Sequence, residues 1–224
     1  MFRAGDALRV LQRRAPEEAI AVDKGTFVIS VFDYGAGNLR SVQNTLGAIG
    51  AEYELIRDAS GIRCAQKLIL PGVGHFGQMM RALDDLQVRD ALIERIRAGI
   101  PFLGICLGLQ ALFTSSEEAP GERGLGIYPG EVRRFQGDVR IPHMGWNQLE
   151  PRRETRLLQK AGKKPFVYFA HSYYCPVVAQ TAATCDYTVP YTAVLENQNV
   201  YGVQFHPEKS GAIGLQIVRN FVEC

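Results

Sequence analysis

The sequence predicts an α/β protein with a mostly parallel central sheet flanked by helices and with additional short antiparallel strands. Three observations support this prediction. Apolar runs of strand length alternate with stretches of helical periodicity as far as residue 105, two of these runs end in glycines, and beyond residue 125 the runs become shorter. Repeated strand, turn and helix is typical of a parallel sheet covered on both faces.

Four strands are predicted in the first half of the chain: TFVISVFDY (26–34), YELI (53–56), the run that begins KLIL at residue 67, and PFLGI (101–105). Helices are predicted between them. Apolar residues recur at spacings of three and four from Leu39 to Ile49, which marks one face of a helix. A similar pattern from Met80 to Ile96 predicts further helical turns before the fourth strand.

The second half is predicted to contain hairpins, a late return to the sheet and a closing helix. Its strand-like runs lie at 166–170, 184–189, 192–196 and 200–205. IGLQIVRNFVE (213–223) predicts the helix, and TSSEEAPGERG (114–124) is predicted to be a loop.

The composition is that of a globular protein and excludes several functional classes. Hydrophobic residues make up 46% and charged residues 21% of the chain. The net charge of +2 gives no reason to expect nucleic acid or an anionic membrane as a partner. No apolar run approaches the ~18 residues of a transmembrane helix.

The first 26 residues are interpreted as an N-terminal extension, followed by one domain over residues 27–224. They lack the apolar stretch of a signal peptide and are too acidic for a transit peptide. The five cysteines contain no C-x-x-C pair, which argues against a disulfide framework and a structural zinc site. A reducing, cytoplasmic location is expected, and no metal or other cofactor is expected.

Cys106 lies at the end of the fourth predicted strand, between Gly104 and Gly108. Open α/β sheets bind ligands beyond the carboxyl ends of their strands, and G-x-C-x-G has the spacing of a nucleophile elbow. A helix is predicted to begin here, and its unpaired N–H groups and dipole favour a thiolate. The N–H of Leu107 is suited to stabilising an oxyanion. An inert cysteine in a tight turn is the alternative.

A general base is sought among the four histidines, of which His206 is the best candidate. It ends a predicted strand, and Pro207 stiffens its connection to Glu208. Residues i and i+2 of an extended segment point the same way, so Glu208 is predicted to orient the imidazole of His206 and stabilise its protonated form.

A competing motif, GVGHFG (72–77), satisfies the G-x-G-x-x-G pattern of dinucleotide binding. That pattern requires an acidic residue about 20 positions on, at the end of the next strand. Asp90 lies near that distance but falls in a helical stretch. The glycine-rich loop is better suited to supplying a second oxyanion N–H group.

Two motifs, GICLGLQ (104–110) and GVQFHPEKS (202–210), resemble the signatures of class I (triad) glutamine amidotransferases. Within that family, further stretches resemble the glutaminase subunits that serve imidazole glycerol phosphate synthases in histidine biosynthesis: DYGAGNLRSVQNTL, LPGVGHFGQMM, IPHMGWNQL and YFAHSYY. The resemblance extends from about Val28 to the C-terminus.

The resemblance implies that Cys106 attacks the side-chain amide of glutamine, His206 transfers the proton and Glu208 orients His206. It also implies roles for other residues: oxyanion N–H groups at Gly74 and Leu107, head-group binding by Gln110, Glu118, Ser172 and Tyr173, and a partner interface at Asn38, Trp146 and Lys209. Glu117 stays open as an alternative to Glu118.

The partner implied by the resemblance is a separate TIM-barrel cyclase subunit, which forms a heterodimer with this chain and receives the ammonia. Its expected products are imidazole glycerol phosphate and aminoimidazole carboxamide ribotide. Two other hypotheses remain open. The chain could be a non-catalytic scaffold, which alkylation of Cys106 by a glutamine-like analogue tests, or a stand-alone cysteine hydrolase, which a panel of amides and esters tests.

Overall fold

The computed structural model describes residues 28–35 and 38–224. The predicted N-terminal extension therefore lies outside the described residues. Within these two ranges, no helix is long and apolar enough to cross a membrane.

The first half of the chain alternates strands and helices, as predicted. Its elements are β1 (Ile29–Phe32), α1 (Leu39–Ala48), β2 (Tyr53–Ile56), α2 (Ala59–Cys64), β3 (Lys67–Gly72), α3 (Phe76–Asp85), α4 (Arg89–Arg97), β4 (Phe102–Cys106) and α5 (Leu107–Gln110). A helix does begin after Cys106, as predicted, but it is a single turn of four residues, so its dipole is small.

The second half consists mainly of short strands and ends in a helix. Its elements are β5 (Phe113–Ser116), β6 (Tyr128–Arg134), β7 (His143–Gln148), β8 (Glu150–Pro151), β9 (Phe166–His171), β10 (Tyr173–Tyr174), β11 (Thr181–Asp186), β12 (Pro190–Asn197), β13 (Val200–Val203), a 3-10 turn (Pro207–Lys209) and α6 (Gly211–Val222).

The central sheet has the strand order β2-β1-β3-β4-β13-β12-β11-β8. Its first five strands are parallel, and the last three continue it in antiparallel fashion. The predicted late return to the sheet is β13, which pairs with β4 so that Val203 lies opposite Ile105. This pairing brings the segment after β13 next to Cys106.

Helices and side chains bury the sheet on both faces, which explains the continuous apolar runs of its inner strands. On β3, Leu68 and Leu70 pack in one core cluster, whereas Ile69 between them packs in the other. Side chains alternate across a strand, so one run of apolar residues serves both cores.

Several strands differ from the sequence prediction. β5 occupies part of the segment predicted to be a loop, because its polar residues pair with β6. β7 was not predicted, because its solvent side carries the exposed Met144 and Trp146 and so hides the alternation expected of a half-buried strand. The run predicted at 184–189 is divided between the end of β11 and the turn before β12.

Candidate active site

Cys106 occupies a strained turn between β4 and α5. Its φ of 54° and ψ of −105° lie outside the conformations that most residues adopt. A Cβ atom on Gly104 would come within 2.5 Å of the carbonyl oxygen of Gly108, and one on Gly108 would overlap the carbonyl of Leu70. The two glycines therefore let the backbone close this turn, which directs the sulfur to a cavity beyond the end of the sheet.

His206 lies just beyond β13, the strand that neighbours β4 in the sheet. Its backbone N–H donates to the carbonyl of Tyr168 at 2.8 Å, and its carbonyl accepts from the hydroxyl of Ser210 at 2.7 Å. The imidazole Nδ1 donates to Oε1 of Glu208 at 2.8 Å. The predicted contact between Glu208 and the ring is present. Its geometry differs from the prediction, because Glu208 lies in a 3-10 turn and not in an extended segment.

The surroundings of His206 favour its protonated form. Burial by itself lowers the pKa of the imidazole, but hydrogen bonds to the side chains of Cys106 and Glu208, together with their charges, outweigh burial and raise the pKa to about 10. The arrangement places one ring nitrogen on a carboxylate and directs the other toward sulfur.

A cavity of about 190 Å³ opens beside this pair, a size suited to a small substrate. It is lined by eight residues that the sequence analysis selected: Cys106, His206, Gly74, Leu107, Gln110, Glu118, Ser172 and Tyr173. A larger cavity of about 740 Å³ lies elsewhere, along residues 151–163. We place the candidate site in the smaller cavity because the thiol of Cys106 and the imidazole of His206 both line it.

Glu118, and not Glu117, faces this cavity. The Glu118 carboxylate accepts a hydrogen bond from the N–H of Phe76 at 2.7 Å, at the start of α3. Glu117 accepts from the N–H of Arg134 at 2.8 Å and lines a different cavity. Of the two neighbouring glutamates that the sequence could not separate, Glu118 is therefore the one that faces the candidate site.

The loop after β3 supplies a second side of the cavity. Gly74 has a φ of 97°, a left-handed conformation that glycine adopts without strain. Gly74 and Leu107 both line the cavity beside Cys106. The adjacent His75 caps α3, because its Nδ1 accepts from the N–H of Gly77 at 3.1 Å. GVGHFG therefore forms the turn from β3 to α3.

The family model described as "Glutamine amidotransferase class-I" matches residues 30–224. The chain belongs to the class-I glutamine amidotransferase family. This confirms the family that the motifs around Cys106 and His206 indicated.

Curated relatives of this amidotransferase carry the name imidazole glycerol phosphate synthase subunit HisH. The Methanothermobacter thermautotrophicus relative is 47% identical over 197 residues, which cover 88% of this chain and 98% of the relative. For the Deinococcus radiodurans relative the identity is 43%, with coverages of 86% and 92%, and for the Thermococcus kodakarensis relative it is 46%, with coverages of 87% and 98%.

Solved structures share the amidotransferase fold at lower identity. A structure described as a glutamine amidotransferase aligns with a TM-score of 0.70 at 20% identity and covers 88% of this chain and 97% of its own. The structure of PurLQS from Thermotoga maritima aligns with a TM-score of 0.70 at 18% identity, with coverages of 88% and 98%. At these identities the likeness concerns the fold alone.

In the amidotransferase, the exposed Trp146 and Lys209 both lie against the half-buried Tyr168. Trp146 is 56% exposed, and its ring meets that of Tyr168 edge-on at 6.2 Å. The Lys209 ammonium lies 5.7 Å from the centre of the Tyr168 ring. Asn38 precedes α1, a helix that lies against the 3-10 turn Pro207–Lys209.

Sequence reasoning missed a buried polar network behind the cavity. The hydroxyl of Tyr191 lies 3.3 Å from Nε2 of His171 and 3.3 Å from Nδ1 of His143. Nδ1 of His171 then donates to the carbonyl of Tyr173 at 2.9 Å, which steadies the backbone along the cavity. His143 and His171 were among the four histidines considered as the base, but nothing in the sequence paired either of them with Tyr191.

Gln204 was also missed, although its position carried a signal. It lies two residues before His206 and is fully buried. Its amide contacts Cys106, Gln110 and Cys175. Residues i and i+2 on a strand share a face, so a glutamine at this spacing was a candidate for the same site.

Proposed function

We propose that this chain hydrolyses glutamine to glutamate and ammonia through Cys106, His206 and Glu208, and passes the ammonia to the cyclase subunit of imidazole glycerol phosphate synthase in histidine biosynthesis. The observation that carries the proposal is the buried His206 imidazole, held on one side by Glu208 and facing the sulfur of Cys106 on the other. A nucleophile, a base and an orienting acid in that order are the parts that acyl transfer requires.

In the first step, the Cys106 thiolate attacks the side-chain carbonyl carbon of glutamine. The carbonyl oxygen gains negative charge, and N–H groups at Leu107 and Gly74 stabilise it. The carbon–nitrogen bond breaks as the His206 imidazolium donates its proton to the leaving nitrogen, which departs as ammonia. A glutamyl thioester on Cys106 remains.

In the second step, neutral His206 takes a proton from water, which attacks the thioester. The carbon–sulfur bond breaks, glutamate is released, and the thiolate and imidazolium are restored. Glu208 keeps Nδ1 of the ring protonated, so that Nε2 performs both transfers. Gln110, Glu118 and the Ser172–Tyr173 backbone hold the amino-acid head group during both steps.

The ammonia is consumed by the partner, a TIM-barrel cyclase that converts a phosphorylated ribulosyl-aminoimidazole precursor. The exposed Trp146 and Lys209, with Asn38, are the proposed contacts in the heterodimer. The names of the curated relatives support this assignment, because they describe a subunit of that synthase. The cytoplasm is the proposed location, and the free state of all five cysteines fits a reducing compartment.

The decisive experiment measures glutamine hydrolysis with and without the cyclase and its nucleotide ligand. Wild type is expected to hydrolyse glutamine slowly alone and much faster in the complex. Cys106→Ala should stay near background while still binding the cyclase, and the matched control Cys64→Ala, at an exposed cysteine, should behave as wild type. Equal activity of wild type with and without the cyclase would contradict the coupling.

A further inference from the structure

Gln204 lies beside Cys106 because of the register between β13 and β4. The last residue of β13, Val203, is opposite Ile105, so Gln204 follows β13 where Cys106 ends β4, and the two side chains are in contact. The Gln204 side chain is fully buried behind the cavity. A buried amide must find partners for its hydrogen-bonding atoms, and the identity of those partners determines what the amide does.

The orientation of the Gln204 amide is set by two donors on its oxygen. Oε1 accepts from Nε2 of Gln110 at 3.2 Å and from the thiol of Cys175 at 4.0 Å. Gln110 is itself oriented, because its Nε2 also donates to the carbonyl of Tyr173 at 2.8 Å. Rotating the Gln204 amide by half a turn would bring two N–H donors face to face.

This orientation directs the Nε2 group of Gln204 at the reacting atom. It donates to Sγ of Cys106 at 3.7 Å, a hydrogen-bond length for sulfur. Titratable groups that interact with Cys106 among the described residues include His206, Tyr34, Cys175 and Tyr191. Gln204 differs from all of them, since it donates a hydrogen bond to sulfur without exchanging protons.

We infer that Gln204 is a further catalytic residue, whose amide N–H stabilises the Cys106 thiolate and holds the sulfur in register with the head-group site through Gln110. The inference rests on the proposed role of Cys106 as nucleophile. A hydrogen bond to the charged form of a group favours that form, and the effect is larger in a buried site than in water. The amide also fixes the distance between the nucleophile and a residue that holds substrate.

The test uses the full chain and follows the sulfur directly. The rate of Cys106 alkylation by iodoacetamide is measured from pH 5 to 10, with the Cys106 peptide identified by mass spectrometry so that the other cysteines do not interfere. In Gln204→Met the midpoint of the pH profile is expected to rise by roughly 0.5–1 pH unit. In Gln204→Glu, which retains the size of the side chain but places a carboxyl group near sulfur, the rise should be larger.

Kinetics in the cyclase complex provide the second readout. Both Gln204 variants should lower kcat by about tenfold or more, with a smaller change in KM, because the lost interaction acts on the nucleophile. The matched control is Asn220→Leu. Asn220 is another buried amide, which donates to the carbonyls of Leu157 and Gln159 in a different part of the fold. This control should keep the alkylation midpoint of wild type.

An unchanged midpoint in the folded Gln204 variants would overturn the inference. If Gln204→Met does not fold, Gln204→Asn carries the test, because its shorter side chain withdraws the amide from the sulfur without adding a charge. The proposed function fails separately, if wild type whose Cys106 is fully alkylated still hydrolyses glutamine. In that case a raised midpoint in the Gln204 variants would still support the hydrogen bond to sulfur, since alkylation does not depend on glutamine turnover.

Discussion

Cys106 combines an unfavourable backbone conformation with favourable side-chain partners. A non-glycine residue held at positive φ costs on the order of 1–3 kcal/mol, and such residues persist where the surrounding structure determines them. The backbone of Cys106 is held by β4, by its neighbour β13 and by the single turn of α5. His206 and Gln204 approach the sulfur from the segment that follows β13. The surrounding structure therefore holds the backbone of Cys106 in this conformation despite its cost.

The charge on His206 depends on its two neighbours, which gives the first prediction. Cys106→Ala removes a hydrogen bond and a charge that raise the imidazole pKa, so the pKa should fall well below the wild-type value of about 10. Glu208→Gln should lower it as well. NMR titration of the assigned His206 ring resonances measures both changes, and an unaltered pKa in Cys106→Ala would contradict the contact.

The raised pKa of His206 also makes the free energy of unfolding depend on pH. The folded pKa of His206 lies above its ordinary value of 6.5, so the stabilisation is complete below pH 6.5 and is lost as pH rises toward about 10. In Cys106→Ala this loss at alkaline pH should shrink. Urea unfolding at pH 6.5 and pH 9.5 gives the comparison.

At the scale of elements, the turn from β4 to α5 depends on the absence of side chains. In Gly104→Ala the new Cβ would lie 2.5 Å from the carbonyl oxygen of Gly108 and 2.8 Å from the N–H nitrogen of Leu109. Both neighbours are backbone atoms that cannot rotate away. The free energy of unfolding is expected to fall by about 1–3 kcal/mol, measured by urea denaturation.

Gly47→Ala is the matched control for this turn. Gly47 lies in α1 with no atom within 4 Å of an added Cβ. Alanine is the better helix former, so this variant should be as stable as wild type or more stable by up to about 1 kcal/mol. Equal destabilisation of both variants would show that the elbow is less constrained than its geometry indicates.

The closing helix α6 is attached to β3 through a buried lysine. Nζ of Lys67 donates to backbone oxygens of Phe221, Val222 and Cys224 at 3.2, 2.7 and 2.8 Å. Burial lowers the pKa of this ammonium, and electrostatic interaction with Cys224 opposes that change. The last carbonyls of a helix have no partner within it, so Lys67 provides a donor for the backbone oxygens of Val222 and Cys224, while the Phe221 carbonyl also accepts from the N–H of Cys224.

Lys67→Met should therefore destabilise the protein. The methionine fills similar space but leaves acceptors without donors, which costs about 1–3 kcal/mol. Hydrogen exchange should also quicken in the last turn of α6. The exposed Lys163→Met serves as control and should leave both measurements unchanged. If hydrogen exchange in α6 is as slow in Lys67→Met as in wild type, the helix is held by its apolar face alone.

At the scale of the whole molecule, His143 and His171 limit stability in acid. Burial lowers the pKa of His143 to about 4, and burial is also the main reason that the pKa of His171 falls to about 3. Both pKa values lie below the ordinary 6.5. As pH falls from 6.5 to about 4, these two histidines are therefore protonated in the unfolded chain but stay neutral in the folded chain. Stability should decrease across that window.

Urea unfolding at pH 7 and pH 5 tests this dependence. Each buried histidine contributes up to about 1.4 kcal/mol per pH unit in the window where only the unfolded state is protonated. His143→Phe removes one such group and should reduce the loss of stability between the two pH values, whatever its effect at pH 7. The same loss in wild type and variant would show that other groups control the acid response.

The amino-acid order by itself determined the alternating elements of the first half, the cysteine in its glycine-flanked turn, and the histidine and glutamate two positions apart. These features are local: periodicity, turn residues and short spacings show them directly. The tertiary structure decided the rest. The β13–β4 register brings Gln204 to the sulfur, the pairing of β5 with β6 leaves Glu118 and not Glu117 at the cavity, and β9 places His171 against Tyr191. Such contacts join residues far apart in the chain, and their pairing depends on sheet register, which spacing along one strand does not reveal.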